Sequence, residues 1–175
     1  MVDTVFLMGY MGSGKTVVGK HLSESINYNF YDLDNFIELG ENKKVLDIFH
    51  DHNEVYFRKL ENKYLKLLSN KTEKKIISLG GGTPCFENNQ KIIQNVSNST
   101  SVYLKCTVEE LHKRLTKGKS KRPIISHIKS SIELKEFINK HLFERSFYYE
   151  KAKLKINTDD LQVFEISKHI EDFLT

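Results

Sequence analysis

Residues Gly9-Tyr10-Met11-Gly12-Ser13-Gly14-Lys15-Thr16 spell a complete G-x-x-x-x-G-K-[ST] phosphate-binding loop near the start of the sequence. Its flanks agree with it. Thr4-Val5-Phe6-Leu7-Met8 is a short β-prone apolar run, and Val17, Val18, Leu22 and Ile26 follow at helical spacing. The predicted context is therefore strand, loop, helix. Glycines let the loop backbone bend with successive N–H groups turned inward, and the new helix adds its positive end, so a polyphosphate meets donors and partial charge together. In this cradle Gly12, Ser13, Gly14 and Val17 contribute backbone, Lys15 reaches the outer phosphates, and the Thr16 hydroxyl is placed to hold Mg²⁺. An ordinary Gly-rich turn is the plainer alternative, and the intact motif between a strand and a helix outweighs it.

With 175 residues, 39% of them hydrophobic, one well-buried core is expected, in a single domain spanning 1–175. No apolar stretch approaches a membrane span, and the run before Gly9 is too short for a signal peptide, so no membrane association and a cytoplasmic location are expected. Cys85 and Cys106 fit neither a metal site nor a disulfide framework, which leaves free thiols. The net charge of +4 is concentrated: Lys113 to Arg122 holds six cations and no acid. Outside that stretch acids outnumber cations. One basic segment on an otherwise balanced protein suits a small anion better than a nucleic acid, which needs a broad phosphate-tracking surface.

Along the chain, Phe30-Tyr31 running into Asp32-Leu33-Asp34 reads as a second strand ending in two acids. At the carboxyl end of a parallel strand these lie near the phosphate loop. Asp32 is then placed to hold Mg²⁺ through water and Asp34 to face an acceptor hydroxyl, while a helix N-cap pair before Phe36-Ile37 is the structural alternative. Val45 to Ser69 reads as two helical pieces. Arg58 and Glu61, one turn apart, are either a surface ion pair, which spacing alone favours, or an arginine held to grip a substrate carboxylate.

Lys75 to Leu79 reads as the next strand and ends in Gly80-Gly81-Gly82, where close approach of a ligand to bare backbone competes with a flexible turn as the explanation. Glu87 to Val96 is expected as a helix and Ser101 to Leu104 as a fourth strand. Capping boxes at Thr107-Val108-Glu109-Glu110 and Ser130-Ser131-Ile132-Glu133 open two more helices. The basic segment between them has the composition of a mobile lid, about 113–127, able to bring an arginine to a phosphate. In the longest helix Leu134, Phe137, Ile138 and Leu142 form the apolar stripe, and Arg145, three turns after Leu134, projects from the same inward side, where it needs an anion or must snorkel. Leu154-Lys155-Ile156 is the fifth strand, Asn157 to Asp160 is placed to border a nucleotide base, and Leu161 to Leu174, with Phe164, Ile170 and Phe173, is a closing amphipathic helix.

Taken in order, the phosphate loop, Asp32-Leu33-Asp34, Phe57-Arg58, Gly80-Gly81-Gly82, Arg122-Pro123 and Glu144-Arg145 resemble the shikimate kinase family, from residue 5 to beyond 150. The resemblance implies an α/β fold: three layers, α/β/α, a five-stranded parallel sheet, the phosphate loop after strand 1, a helical substrate-binding region at about 33–61, and a mobile lid. It also implies a monomer that transfers the ATP γ-phosphate to the 3-hydroxyl of shikimate, in the chorismate route to aromatic amino acids. By the same resemblance Lys15 binds phosphate, Thr16 and Asp32 hold magnesium, and Asp34 orients the acceptor hydroxyl. Arg58 and Arg145 bind the shikimate carboxylate, Gly80, Gly81 and Gly82 line its pocket, Arg122 meets the γ-phosphate, and Phe49 and Phe57 wall the ring. Two places depart from the pattern. Leu115 stands before Thr116 where the family commonly has an adenine-stacking arginine, with Arg114 one step earlier, and Phe147-Tyr148 replaces a common proline and leucine.

A gluconate or nucleoside-monophosphate kinase would share the loop and lid but would not call for three glycines beside two arginines. A nucleotide-dependent switch is less well supported. Asn70-Lys71-Thr72-Glu73 comes near the guanine-reading Asn-Lys-x-Asp pattern but ends in Glu.

Overall fold

The computed structural model describes residues 2–86, 88–117 and 123–175. A run such as Thr4–Met8 (β1), buried at every position, belongs inside a sheet covered on both faces. It is the central strand of a five-stranded, all-parallel sheet, β2-β3-β1-β4-β5, whose other members are Asn29–Asp32 (β2), Lys75–Ser78 (β3), Ser99–Lys105 (β4) and Leu154–Asn157 (β5). Alternation along β1 divides the core. Val5 and Leu7 join Val18 and Leu22 of helix α1 (Lys15–Ile26) and Ile166 and Ile170 of α9 (Val163–Leu174). Phe6 and Met8 face the other side, toward α2 (Leu33–Glu41), α3 (Val45–Asp51), α4 (Glu54–Ser69), α5 (Asn89–Asn95), α6 (Val108–Lys117), α7 (Pro123–Ser126) and α8 (Ser131–Tyr149). The result is the expected three-layer α/β/α fold.

Register then places the site. Leu7 and Asp32 both pair with Ser78, so β1, β2 and β3 end at one level, and the phosphate loop, the two acids and the three glycines emerge together.

Several local expectations differ. β2 stops at Asp32, and Asp34 lies in the first turn of α2, because Asp32 caps that helix by accepting from Asn35 N–H. The Thr107 hydroxyl accepts from Glu110 N–H as a cap should, but the reciprocal half of the box is replaced: Thr107 N–H goes to Asp159 and the Glu110 carboxylate to Arg114. β3 ends one residue early, at Ser78, and β4 runs longer, from Ser99 to Lys105. α5 starts at Asn89, after a 3₁₀ turn at Thr83–Cys85. In α9 Phe164 and Phe173 are exposed, and Ile166 and Ile170 provide the buried stripe with Ser167. In α1 Val17 is exposed while Val18 and Leu22 are buried. Both cysteines are free. Among the described residues, no helix is long and apolar enough to cross a membrane.

Candidate active site

Gly9, Gly12 and Gly14 carry φ values of 146°, 83° and 96°, which L side chains rarely adopt, so the loop's curvature is written into those three positions. Gly14 is the N-cap of α1 and offers no side-chain cap, so the amino end of the helix opens onto the loop. Gly12 also lies under Leu115 of α6, whose Cδ2 would be 3.1 Å from an added Cβ. The Lys15 ammonium folds back onto the loop and donates to the carbonyls of Gly9 and Tyr10, each at 2.9 Å. Ser13 Oγ is buried among the loop atoms, and Val17 sits exposed one residue into the helix beyond Thr16.

Two acids face this loop in different ways. Thr16 Oγ1 donates to Asp32 Oδ2 at 2.8 Å, joining the first turn of α1 to the end of β2. A hydroxyl and a carboxylate side by side suit a hard cation that keeps most of its water and takes phosphate oxygens as further ligands. Among the described residues there is no cluster of three His, Cys, Asp or Glu that would hold a metal without a nucleotide. Asp34 lies deeper, with Oδ1 buried and without a hydrogen-bond partner among the described residues. Burial, then the Glu61 and Asp32 carboxylates, push its carboxyl up to about 7, against the opposing pull of Lys15 and Arg58. A carboxyl balanced near neutrality, with a buried oxygen that has no partner among the described residues, suits the orientation of a hydroxyl.

Asp34 forms part of the wall of a cavity of about 470 Å³, which Phe49, Phe57, Arg58, Gly80, Gly81, Gly82 and Arg145 also line. Arg58 is not a surface residue. It is 5% exposed, gives Nη1 to Glu61 at 2.5 Å and Nε and Nη2 to Glu54 at 3.1 and 2.7 Å, and its guanidinium lies 4.1 Å from the Phe86 ring centroid. Glu61 is fully buried and accepts on its other oxygen from Thr83 Oγ1. Arg145, equally buried, forms no ion pair among the described residues and rests over the Tyr10 ring. Of the two cations it is therefore the one whose charge is less compensated. The glycines are explained by space rather than by φ. A Cβ on Gly80 would meet Glu61, Thr83 and Asp34 at 2.8–3.0 Å, and one on Gly82 would strike the Arg58 guanidinium.

The adenine side is less regular. Leu115 is fully buried, so it has no face to offer a base, whereas Arg114 bonds to Glu110 and extends to the carbonyls of Gly12 and Thr158, each at 3.4 Å. Arg122 and the rest of 118–122 lie outside the described residues; of the 113–127 stretch the structure describes 113–117 in α6, 123–126 in α7 and the turn at 127, and Ile124 reaches the cavity wall. Phe147 points to solvent, so the departure at 147–148 leaves the cavity unchanged.

Sequence reasoning missed Thr83, Tyr10, His141 and Tyr149. Thr83 fixes Glu61, Tyr149 donates to the Gly81 carbonyl at 2.5 Å, and Tyr10 shares a hydrogen bond with His141 Nδ1 at 3.0 Å. Only the two α8 residues carried a signal, since His141 and Tyr149 stand one turn either side of Arg145.

Comparison with known proteins points to one family. The family model for shikimate kinase matches residues 11–175. A shikimate kinase of Flavobacterium johnsoniae is 43% identical over 173 residues, covering 99% of each chain. The crystal structure of shikimate kinase from Bacteroides thetaiotaomicron superposes with a TM-score of 0.90 at 34% identity, over 98% of this chain and 97% of that one. The Acinetobacter baumannii enzyme in complex with shikimate also gives 0.90, at 26% identity, over 99% and 93%.

Proposed function

Because the chain belongs to the shikimate kinase family, and is therefore a kinase that phosphorylates shikimate, we propose that its donor is ATP with Mg²⁺ and that the cavity beside the phosphate loop is the shikimate site. The reaction gives shikimate 3-phosphate on the chorismate route to aromatic amino acids. One observation carries the assignment of the cavity: two buried arginines stand in the same wall as a carboxyl that adjoins the phosphate loop. In this reading Arg145 and Arg58 take the substrate carboxylate, Gly80, Gly81 and Gly82 let the ring approach the backbone, and Asp34 aligns the 3-hydroxyl.

Gly12, Ser13, Gly14 and Val17 supply backbone N–H groups to the nucleotide, and Lys15 leaves its two carbonyl partners for the outer phosphates. Thr16 and Asp32 hold Mg²⁺, which neutralises phosphate charge when bound. Arg122 is assigned to the γ-phosphate on the motif alone. Phosphoryl transfer needs little covalent help, so placement and charge carry the rate, with Asp34 accepting the hydroxyl proton or orienting it. The protein works as a cytoplasmic monomer on a small-molecule substrate.

The test is ADP release from ATP and Mg²⁺ with shikimate, gluconate or AMP offered separately. Turnover with shikimate alone is expected; turnover with gluconate or AMP instead would void the assignment of the two arginines.

A further inference from the structure

Tyr10 is a loop residue that touches both halves of the reaction. Through its backbone it belongs to the phosphate side: its carbonyl accepts from Lys15 Nζ at 2.9 Å and from Ser13 N–H at 3.1 Å. Its side chain belongs to the other side. The phenol is buried, its ring lies under the Arg145 guanidinium with 5.9 Å from Cζ to the centroid, and its hydroxyl is 3.0 Å from His141 Nδ1, one turn before Arg145 on α8. The two rings meet edge to face at 5.6 Å, and Phe137 packs against His141 at 4.9 Å, so the imidazole has little freedom.

The geometry points to Tyr10 and His141 as positioning residues that link occupancy of the phosphate loop to the placement of Arg145. When a nucleotide draws the Lys15 ammonium from the Gly9 and Tyr10 carbonyls, the Tyr10 peptide loses a partner; the same residue's ring and hydroxyl hold the turn of α8 that presents Arg145. A shift of the Tyr10 peptide is therefore passed to the turn that carries Arg145, and by linkage the effect is mutual. The hydrogen bond is durable near neutral pH. Burial and the Arg145 charge hold the His141 imidazole down at about 4, so it stays neutral, and burial raises the Tyr10 phenol, so it keeps its proton. A purely structural role would cost stability and leave the coupling alone.

The inference rests on the cavity being the shikimate site, and the experiment separates the two. Titration calorimetry measures the Kd of Mg·ADP with and without saturating shikimate in the wild type, Tyr10→Phe, His141→Leu and the double variant. A wild-type coupling of about fivefold or more is expected, in the usual range for linked sites. Both single variants should fall to less than half of it, and the double variant should fall no further. A coupling of one in the wild type, or an unchanged coupling in Tyr10→Phe, overturns the link and leaves the site assignment standing. Absence of shikimate binding to the wild type removes both.

Discussion

The Arg58 guanidinium lies against Gly82 so closely that a Cβ there would sit 2.6 Å from Nη1 and 2.7 Å from Nη2. Arg58 cannot retreat, because Glu54 and Glu61 hold it from behind. Gly82 itself has an ordinary backbone, φ −93° and ψ −15°, so alanine would be refused for space alone. Gly82→Ala should raise the KM for shikimate about tenfold, equivalent to ~1.4 kcal/mol, and leave the KM for ATP within about twofold. Steady-state kinetics with each substrate varied in turn decides it; an ATP effect of equal size would mean a general disturbance.

The two arginines should not be equal. Arg58 already has two carboxylate partners, whereas Arg145 has no described ion pair. Replacing either by lysine exchanges a planar fork for a point charge. Arg145→Lys should raise the KM for shikimate by about 10–100-fold and Arg58→Lys by less, because the uncompensated cation carries more of the attraction to a carboxylate. Equal losses would contradict that division.

Asp34 has a pH signature. Its folded value of about 7 stands above the ordinary 3.8, so ionising it costs the folded chain more than the unfolded one. At pH values below 3.8 both states hold the proton and no difference exists. As pH rises toward 7 the wild type loses stability relative to a neutral residue, and above 7 the gap is constant. Asp34→Asn should therefore lose most turnover yet unfold at a higher temperature than wild type at pH 8 and at the same temperature at pH 3.5, a gain on the order of 1–3 kcal/mol. Thermal melts across that range provide the check.

Asp32 has two tasks that substitutions can separate. It caps α2 and it faces the Thr16 hydroxyl. Asparagine keeps the cap and removes the charge; alanine removes both. Asp32→Asn should hold stability within ~0.5 kcal/mol while raising the Mg²⁺ concentration needed for half-maximal rate several-fold, and Asp32→Ala should lose a further ~1 kcal/mol of stability. Melting curves and Mg²⁺ titrations, with EDTA abolishing turnover in every variant, would show whether the tasks separate.

What the sequence disclosed depended on how locally each feature is encoded. The phosphate loop was legible because Gly9, Gly12 and Gly14 must be glycine wherever that backbone occurs. Arg145 was legible because its helical phase is fixed by Leu134 and Ile138 in the same element. Arg58 was ambiguous for the opposite reason. An i,i+3 partner at Glu61 looks the same on a wet surface and in a core, and only the 3₁₀ turn carrying Thr83, more than twenty residues on, decides between them. Tyr10 and His141 are 131 residues apart, so no periodicity could pair them. Phe164 and Phe173 misled for a simpler reason, since in α9 Ile166 and Ile170 suffice to fill the groove beside α1 and leave the larger rings outside.

The order of strands also governs how the molecule comes into being. β1 is made before every other strand, yet it lies in the middle of the sheet, between β3 and β4. A growing chain must pass Ser78 before one flank of Thr4–Met8 has a neighbour, and Lys105 before the other has. Until both neighbours have been made, a largely apolar strand keeps at least one open edge, an arrangement prone to mispairing with other chains. The strand that leads into the phosphate loop is thus complete in its pairing only after β4 has been made. A ribosome-stalled fragment ending ahead of β4 should therefore aggregate more readily than one that extends past Lys105.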